Sequence, residues 1–215
     1  MKTFLFIVFI FCTLIGNAQS NDRPVLLTHY VFNEFTPGIV KLKTGAVTAQ
    51  LLNYNIITNE MIFNNNGKYM AISDSDGVDT IIINERKFVP VNKKFYEVLV
   101  ESKLPLLEEF TAKIMTRGAL MGYGQNSDVS AVTSYKSLLS NGHSYELVLP
   151  SGFTVKPGYI FWILKDGQFE KISSSKQIIK TFPEKKDLIN ETIKKNDLKL
   201  SKREDIIMLI RFIEL

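Results

Sequence analysis

Apolar and polar positions alternate in short blocks over most of this chain, and the period lengthens only near the C-terminus. Residues 39–43 alternate and stop at Thr44-Gly45. Residues 47–57 place Ala49, Leu51 and Asn53 on one side and Gln50, Leu52 and Tyr54 on the other, the period of a β-strand. Two further blocks, 60–63 and 69–72, flank Asn64-Asn65-Asn66-Gly67. Asn-Gly tolerates positive φ at both central positions of a type I′ turn, so this pair predicts a hairpin. Residues 79–83 are a β-branched run, and 87–91 follow after Asn84-Glu85. Pro90 has no N–H to give a ladder, which predicts that this strand is an edge or ends there. Residues 95–100 and 106–115 complete the series. Later, 145–149 and 159–164 resume the strand pattern, and Asp166-Gly167 turns into 169–172.

The period changes after residue 173. Ser174 and Gln177 fit a capping box opening a helix that turns Ile178, Ile179 and Phe182 inward. Pro183 ends that helix and suits the start of a second, with Leu188, Ile189 and Ile193 on one face. Ser201 and Glu204 form a second capping box, and Ile206, Ile207, Leu209, Ile210 and Ile213 make an apolar stripe behind it. The pattern predicts an α+β, mostly β protein: an antiparallel meander, sandwich-like or barrel-like, over 38–173, with a tail of two to three helices, 174–215, docked on it. Residues 19–37 are an N-terminal extension.

Between the two strand sets, residues 117–144 lose apolar periodicity and carry Gly118, Gly122, Gly124 and Gly142. A long loop is expected there. Structureless loops of this length in compact domains are uncommon and tend to be functional or disordered, so this segment is the expected contact surface, with Tyr123 and Tyr135 supplying contact area.

The first 18 residues follow a different logic. Lys2 precedes an apolar run from Phe4 to Ile15, and Gly16, Asn17 and Ala18 place small residues before Gln19. That order is a secretory signal peptide, with cleavage expected after Ala18. The run is shorter than the ~20 residues of a membrane-spanning helix. Cys12 suggests a lipoprotein signal, but Phe11 stands where a small residue is required. Cys12 is the chain's only cysteine, so the exported protein would have no disulfide, thiolate nucleophile or cysteine metal site. Periplasmic or outer-surface location in a Gram-negative bacterium is expected, with no membrane span after cleavage.

The formal charge of +4 places no demand on a polyanionic partner. Its excess lies in 174–215, where ten basic residues are interspersed with seven acidic ones, as on a solvated helix surface. Nucleic acid is therefore not an expected partner. Candidate chemistry is sparse. His29 and His143 are the only histidines and lack metal-ligand spacing, so no metal is expected. Asp74, Asp76 and Asp79 resemble a calcium loop only faintly, without its closing glutamate. His143 with an unspecified serine, and the carboxylate pairs Glu108-Glu109 and Glu97/Glu101, are the hydrolase candidates. Gly118, Gly122 and Gly124 lack the residues of a phosphate loop, so no cofactor is expected. Tyr159, Phe161 and Trp162 adjoin one another, and alternation turns Trp162 away from the other two.

Gly38 to Leu42, Leu52-Asn53-Tyr54-Asn55, Met61-Ile62-Phe63 and the run from Asp79 through Phe88 resemble a family of uncharacterised exported proteins of the Bacteroidota. Phe182-Pro183-Glu184-Lys185-Lys186 and Glu204 to Ile207 resemble that family's C-terminus. The resemblance implies export and transfers no catalytic residue. The expected function is a non-catalytic binding or structural module of the cell envelope, with an envelope protein or glycan as partner. A secreted hydrolase with a dispersed site is the alternative.

Overall fold

The computed structural model describes residues 27–116, 129–130 and 145–214. The signal peptide expected at 1–18 lies outside them, as do Cys12, His143 and nearly all of the 117–144 segment with Tyr123 and Tyr135. The described chain is mostly antiparallel sheet, followed by three C-terminal helices. The strands are β1 (Thr36–Leu42), β2 (Val47–Asn55), β3 (Glu60–Asn65), β4 (Lys68–Ala71), β5 (Val78–Ile83), β6 (Arg86–Val91), β7 (Lys94–Val100), β8 (Leu106–Thr116), β9 (Val129–Ser130), β10 (Phe153–Lys165) and β11 (Gln168–Ile172). Their order in the one open sheet is β11-β10-β8-β7-β6-β5-β1-β2-β3-β4, with β9 on the end of β8. The meander is thus broken once, where the chain leaves β4 and returns to pair β5 with the other side of β1.

Four two-residue hairpins share one signature. Asn66-Gly67 and Asp166-Gly167 have positive φ at both positions, and so do Asn84-Glu85 and Asn92-Lys93. These are type I′ turns, whose twist matches that of the strands they join. Pro90 lies in β6, which has a neighbour on each side, β5 and β7. The registered pairs with β5 stop at Ile81–Phe88, and Pro90 faces Phe95 of β7 at a position whose missing N–H would point away from β7. The strand is therefore an edge locally, where the proline is.

The sheet curls onto itself. Tyr54 of β2 and Phe110 of β8 stand five strand steps apart, about 24 Å across a flat sheet, yet their rings are 5.4 Å apart. Phe88 of β6 stacks against both, 6.0 Å from Tyr54 and 6.3 Å from Phe110. The concave face so formed buries Val40, Leu52, Met61, Val78, Ile81, Ile83 and Phe95. Gly38 sits under this curl. A Cβ there would lie 2.8 Å from the Ile82 carbonyl and 2.9 Å from Leu52, so the backbone approach requires glycine.

The Leu52-Asn53-Tyr54-Asn55 run has a structural task. The β1–β2 register would place residue 33 opposite Asn55, but Tyr30 stands there instead, so three extra residues bulge out. The fully buried Asn53 satisfies that bulge: its Oδ1 accepts from the Phe32 N–H at 3.0 Å, and its Nδ2 donates to the Phe32 and Glu34 carbonyls at 2.8 and 3.1 Å. Asn55 Oδ1 accepts from the Ile57 and Thr58 amides and turns the chain after β2.

The tail forms α1 (Ser175–Thr181), a 3-10 turn at Pro183–Lys185, α2 (Lys186–Lys195) and α3 (Arg203–Glu214). Ser174 caps α1 through the Gln177 N–H at 3.4 Å, and Gln177 Oε1 accepts from Ser173 N, one residue earlier than a capping box requires. The second box expected at Ser201–Glu204 does not form. Helix α3 begins at Arg203, and Asp205 reaches back instead, accepting from the Lys199 amide at 2.8 Å. Ile206, Leu209, Ile210 and Ile213 of α3 join Ile178, Ile189, Phe161, Ile163 and Ile172 in a second core. Burial of each contributes up to about 1.5–3 kcal/mol. Leu188, expected inward, is 38% exposed, because Ile189 takes the inward position of α2. Residues 145–149, expected to be a strand, form no ladder. Tyr145 and Leu147 instead cover a small cluster of Leu27, Tyr30 and Ile62, and the Tyr145 hydroxyl donates to Glu60 at 2.7 Å.

Candidate functional site

Alternation places Leu106, Glu108 and Phe110 of β8 on the concave face, with Phe95 and Glu97 of β7 and Arg86 and Phe88 of β6 beside them. Glu97 and Glu108 are directly opposed in the ladder. Like charges opposed on neighbouring strands destabilise a sheet unless something neutralises them. Two arginines do so. Arg86 holds Glu97 in a bidentate pair, Nε–Oε1 at 2.9 Å and Nη2–Oε2 at 2.5 Å. Arg203, the first residue of α3, donates through Nη2 to both carboxylates, at 2.7 Å to Glu108 and closer still to Glu97. The Glu97 and Glu108 side chains are only 5% and 2% exposed, whereas Arg203 remains 32% exposed.

This cluster joins the two cores. Toward the curled sheet, the Arg86 guanidinium lies 4.9 Å from the Phe32 ring centroid and also faces Phe88 and Phe110. Such contacts are favourable when the cation is partly desolvated. Toward the tail, Arg203 ties α3 to β7 and β8. Burial pushes the Glu108 carboxyl up to about 7; the Arg203 charge opposes the rise and the Glu97 charge adds to it.

Above the cluster opens a cleft of about 530 Å³. Its walls include Tyr30, Ile56, Arg86, Glu108, Phe110, Tyr159, Lys202 and Arg203. Tyr159 is 53% exposed, lines the cleft and makes an edge-to-face contact with Phe110 at 5.8 Å. Arg203 Nε is buried and has no hydrogen-bond partner among the described residues. Tyr30 is buried, its hydroxyl donates to the Tyr145 carbonyl at 3.4 Å, and burial raises that hydroxyl well above its ordinary range, so it stays protonated.

The sequence-predicted residues divide sharply. Of the four glutamates, Glu97 and Glu108 come together, while Glu109, next in the chain, faces the opposite side of the sheet. It accepts there from Lys94 at 2.6 Å and Trp162 Nε1 at 3.0 Å. Burial and the Glu109 charge raise the neighbouring Tyr96 hydroxyl to about 12. Glu101 makes an exposed pair with Lys87. Trp162 does turn away from Tyr159 and Phe161, and stacks on Tyr96 at 6.3 Å. His29 is fully buried with its ring 4.6 Å from Tyr30. Asp74 accepts from the Gly77 amide at 3.0 Å, and Asp79 pairs with Lys41 at 3.6 Å, so these aspartates serve turn and surface. No group of three metal-ligating side chains occurs among the described residues.

Arg86 and Arg203 were missed. The available signal was a charge at an inward-facing position on three successive strands, Arg86 before Phe88, Glu97 after Phe95 and Glu108 between Leu106 and Phe110. The partner of Glu108 lies 95 residues away, beyond any local pattern.

No family model matches the chain, and neither a curated protein nor a solved structure is similar to it. No described helix is long and apolar enough to cross a membrane.

Proposed function

We propose that this protein is an exported, non-catalytic binding module of a bacterial cell envelope, periplasmic or outer-surface, and that its cleft takes a glycan. One observation carries the reading against catalysis: a single arginine nitrogen, Arg203 Nη2, bonds to both carboxylates that meet beneath the cleft. Glycosidase carboxylates face each other across space that holds a sugar and, in inverting enzymes, a water. Here the guanidinium fills that space. What lines the cleft is the exposed Tyr159 ring and the guanidinium groups of Arg86 and Arg203, a set that suits stacking and hydrogen bonding to a sugar. The family resemblance of the sequence supports export. An envelope protein as partner would use the same walls.

The hydrolase alternative rests on Glu108, whose raised carboxyl is poised near neutral pH, the setting a general acid needs. One experiment separates the two. Envelope glycan fragments are titrated onto the wild type, Tyr159→Ala and Glu108→Gln, with chromatography of the glycan after overnight incubation. Intact glycan, binding lost in Tyr159→Ala and kept in Glu108→Gln, is the expected result. Shortened glycan with the wild type but not with Glu108→Gln would establish the hydrolase and overturn the binding reading.

A further inference from the structure

Among the described residues, the last strand of the sheet has one side that no other strand pairs with. Strand β4 pairs only with β3, and among the described residues no strand lies beyond it. The Asn66-Gly67 turn fixes which groups point outward. Residues 65 and 68 pair across a two-residue turn, Phe63 pairs with Met70, and the Ile72 N–H donates to the Met61 carbonyl at 2.9 Å. The alternation of an antiparallel ladder then leaves the N–H and C=O of Tyr69 and Ala71 facing away from β3. Two concavities flank that edge. On the concave side a cavity of about 480 Å³ is walled by apolar side chains that include Phe63 and Met70, with Asp74 at its rim. On the convex side a cavity of about 570 Å³ is walled by Tyr69 and Phe35, with Glu34 beside them. No cation pairs with the Glu34 carboxylate among the described residues.

We infer that the outer edge of β4 is a docking site for an extended peptide segment of a partner protein, with an apolar residue opposite Met70 and a lysine or arginine opposite Tyr69. Only a strand satisfies donors and acceptors that recur at every second residue, and its side chains alternate between the two faces. The apolar residue enters the Phe63–Met70 cavity. Its basic neighbour turns to the other face, where Glu34 supplies the complementary charge. The site lies at the end of the sheet opposite the helices and depends on no residue of the Tyr159 cleft.

The test is a selection from a display library of seven-residue peptides against the wild type, followed by affinity measurements on an enriched peptide. Ala71→Pro removes one outward N–H that the β3 ladder does not use, so the variant keeps its fold and is expected to bind about tenfold more weakly. N-methylation of the peptide amides that face β4 is expected to weaken binding by a similar factor. Glu34→Lys is expected to abolish the preference for the basic residue, and it keeps the question open to refutation should Ala71→Pro misfold. Absence of enrichment overturns the inference, as does an enriched peptide that binds Ala71→Pro and the wild type alike or tolerates N-methylation. A wild type that sediments as a dimer, and as a monomer when Ala71→Pro, would assign the edge to a second copy and overturn it too.

Discussion

The β11 end of the sheet runs directly into α1, whose Ile178 shares one core with Ile163 and Ile172, whereas the β4 end stops at a four-residue strand with no strand beyond it among the described residues. Sheet edges invite pairing with other chains, and proteins manage them by covering them or keeping them short. Here the helices cover one face of the sheet at the β11 end, where Ile172 is buried and Gln168–Lys171 stay exposed, and the β4 end is kept short. The covered end gains three helices of buried apolar surface, and it also acquires a dependence. The carboxylates of β7 and β8 are neutralised in part by Arg203, which arrives only when the tail has docked. The tail core thus sits at one end of the sheet, and a short strand paired on one side only sits at the other.

The largest expected effect lies at Arg203. Arg203→Ala leaves Glu97 and Glu108 buried with Arg86 as their one remaining partner, and removing one member of a buried ionic cluster costs about 3–5 kcal/mol. Urea denaturation should show a loss of that size. Adding Glu108→Gln should recover part of it, because the two changes act on one network. A loss under about 1 kcal/mol would mean that the tail is not latched by this charge.

Packing at the covered end is the next largest effect. Ile210 is fully buried in the tail core, and Ile210→Ala should cost about 2–4 kcal/mol in the same measurement. Phe88 belongs to the other core and Ile210 shares no cluster with it, so the cost should add to that of Phe88→Leu within about 0.5 kcal/mol.

Much of this division was legible in the sequence. The Asn66-Gly67 and Asp166-Gly167 turns, the strand periodicity and the α3 stripe are local signals, and the structure follows each of them. Residues 145–149 misled because apolar alternation records burial on one side, and burial was achieved by covering a cluster rather than by joining a ladder. The return of β5 to β1 left no trace, since pairing partners are chosen by contacts distant in sequence. The site was hidden for the same reason. Glu108 was one of several candidate glutamates until Arg203 met it, and no spacing rule links residues on β8 and α3.

Protonation gives a smaller handle on the covered end. The Glu108 carboxyl rises on folding from about 4.5 to about 7, mainly through burial. Its folded pKa is therefore above its unfolded one, so the stabilisation tied to this proton is complete below about pH 4.5 and is lost as the pH rises through 7. Glu108→Gln carries no titrating proton and should flatten the dependence of stability on pH between 5 and 8 by about 1–3 kcal/mol. Thermal melts of both proteins at the two pH values check it. Parallel curves would show that the carboxyl is not desolvated.

The smallest effect belongs to the bare end. Met70 is 36% exposed on a strand paired on one side only, so Met70→Lys removes little buried area and lets the new ammonium reach water. Unfolding free energy should change by no more than about 0.5 kcal/mol. The same substitution puts a charge at the mouth of the Phe63 cavity and on the sheet edge, where lysine acts against strand addition. Stability and edge behaviour should therefore separate, with urea curves that superimpose and a selected edge-binding peptide that no longer binds. A destabilisation comparable to that of Ile210→Ala would mean that Met70 is part of a core and that the β4 end is closed after all.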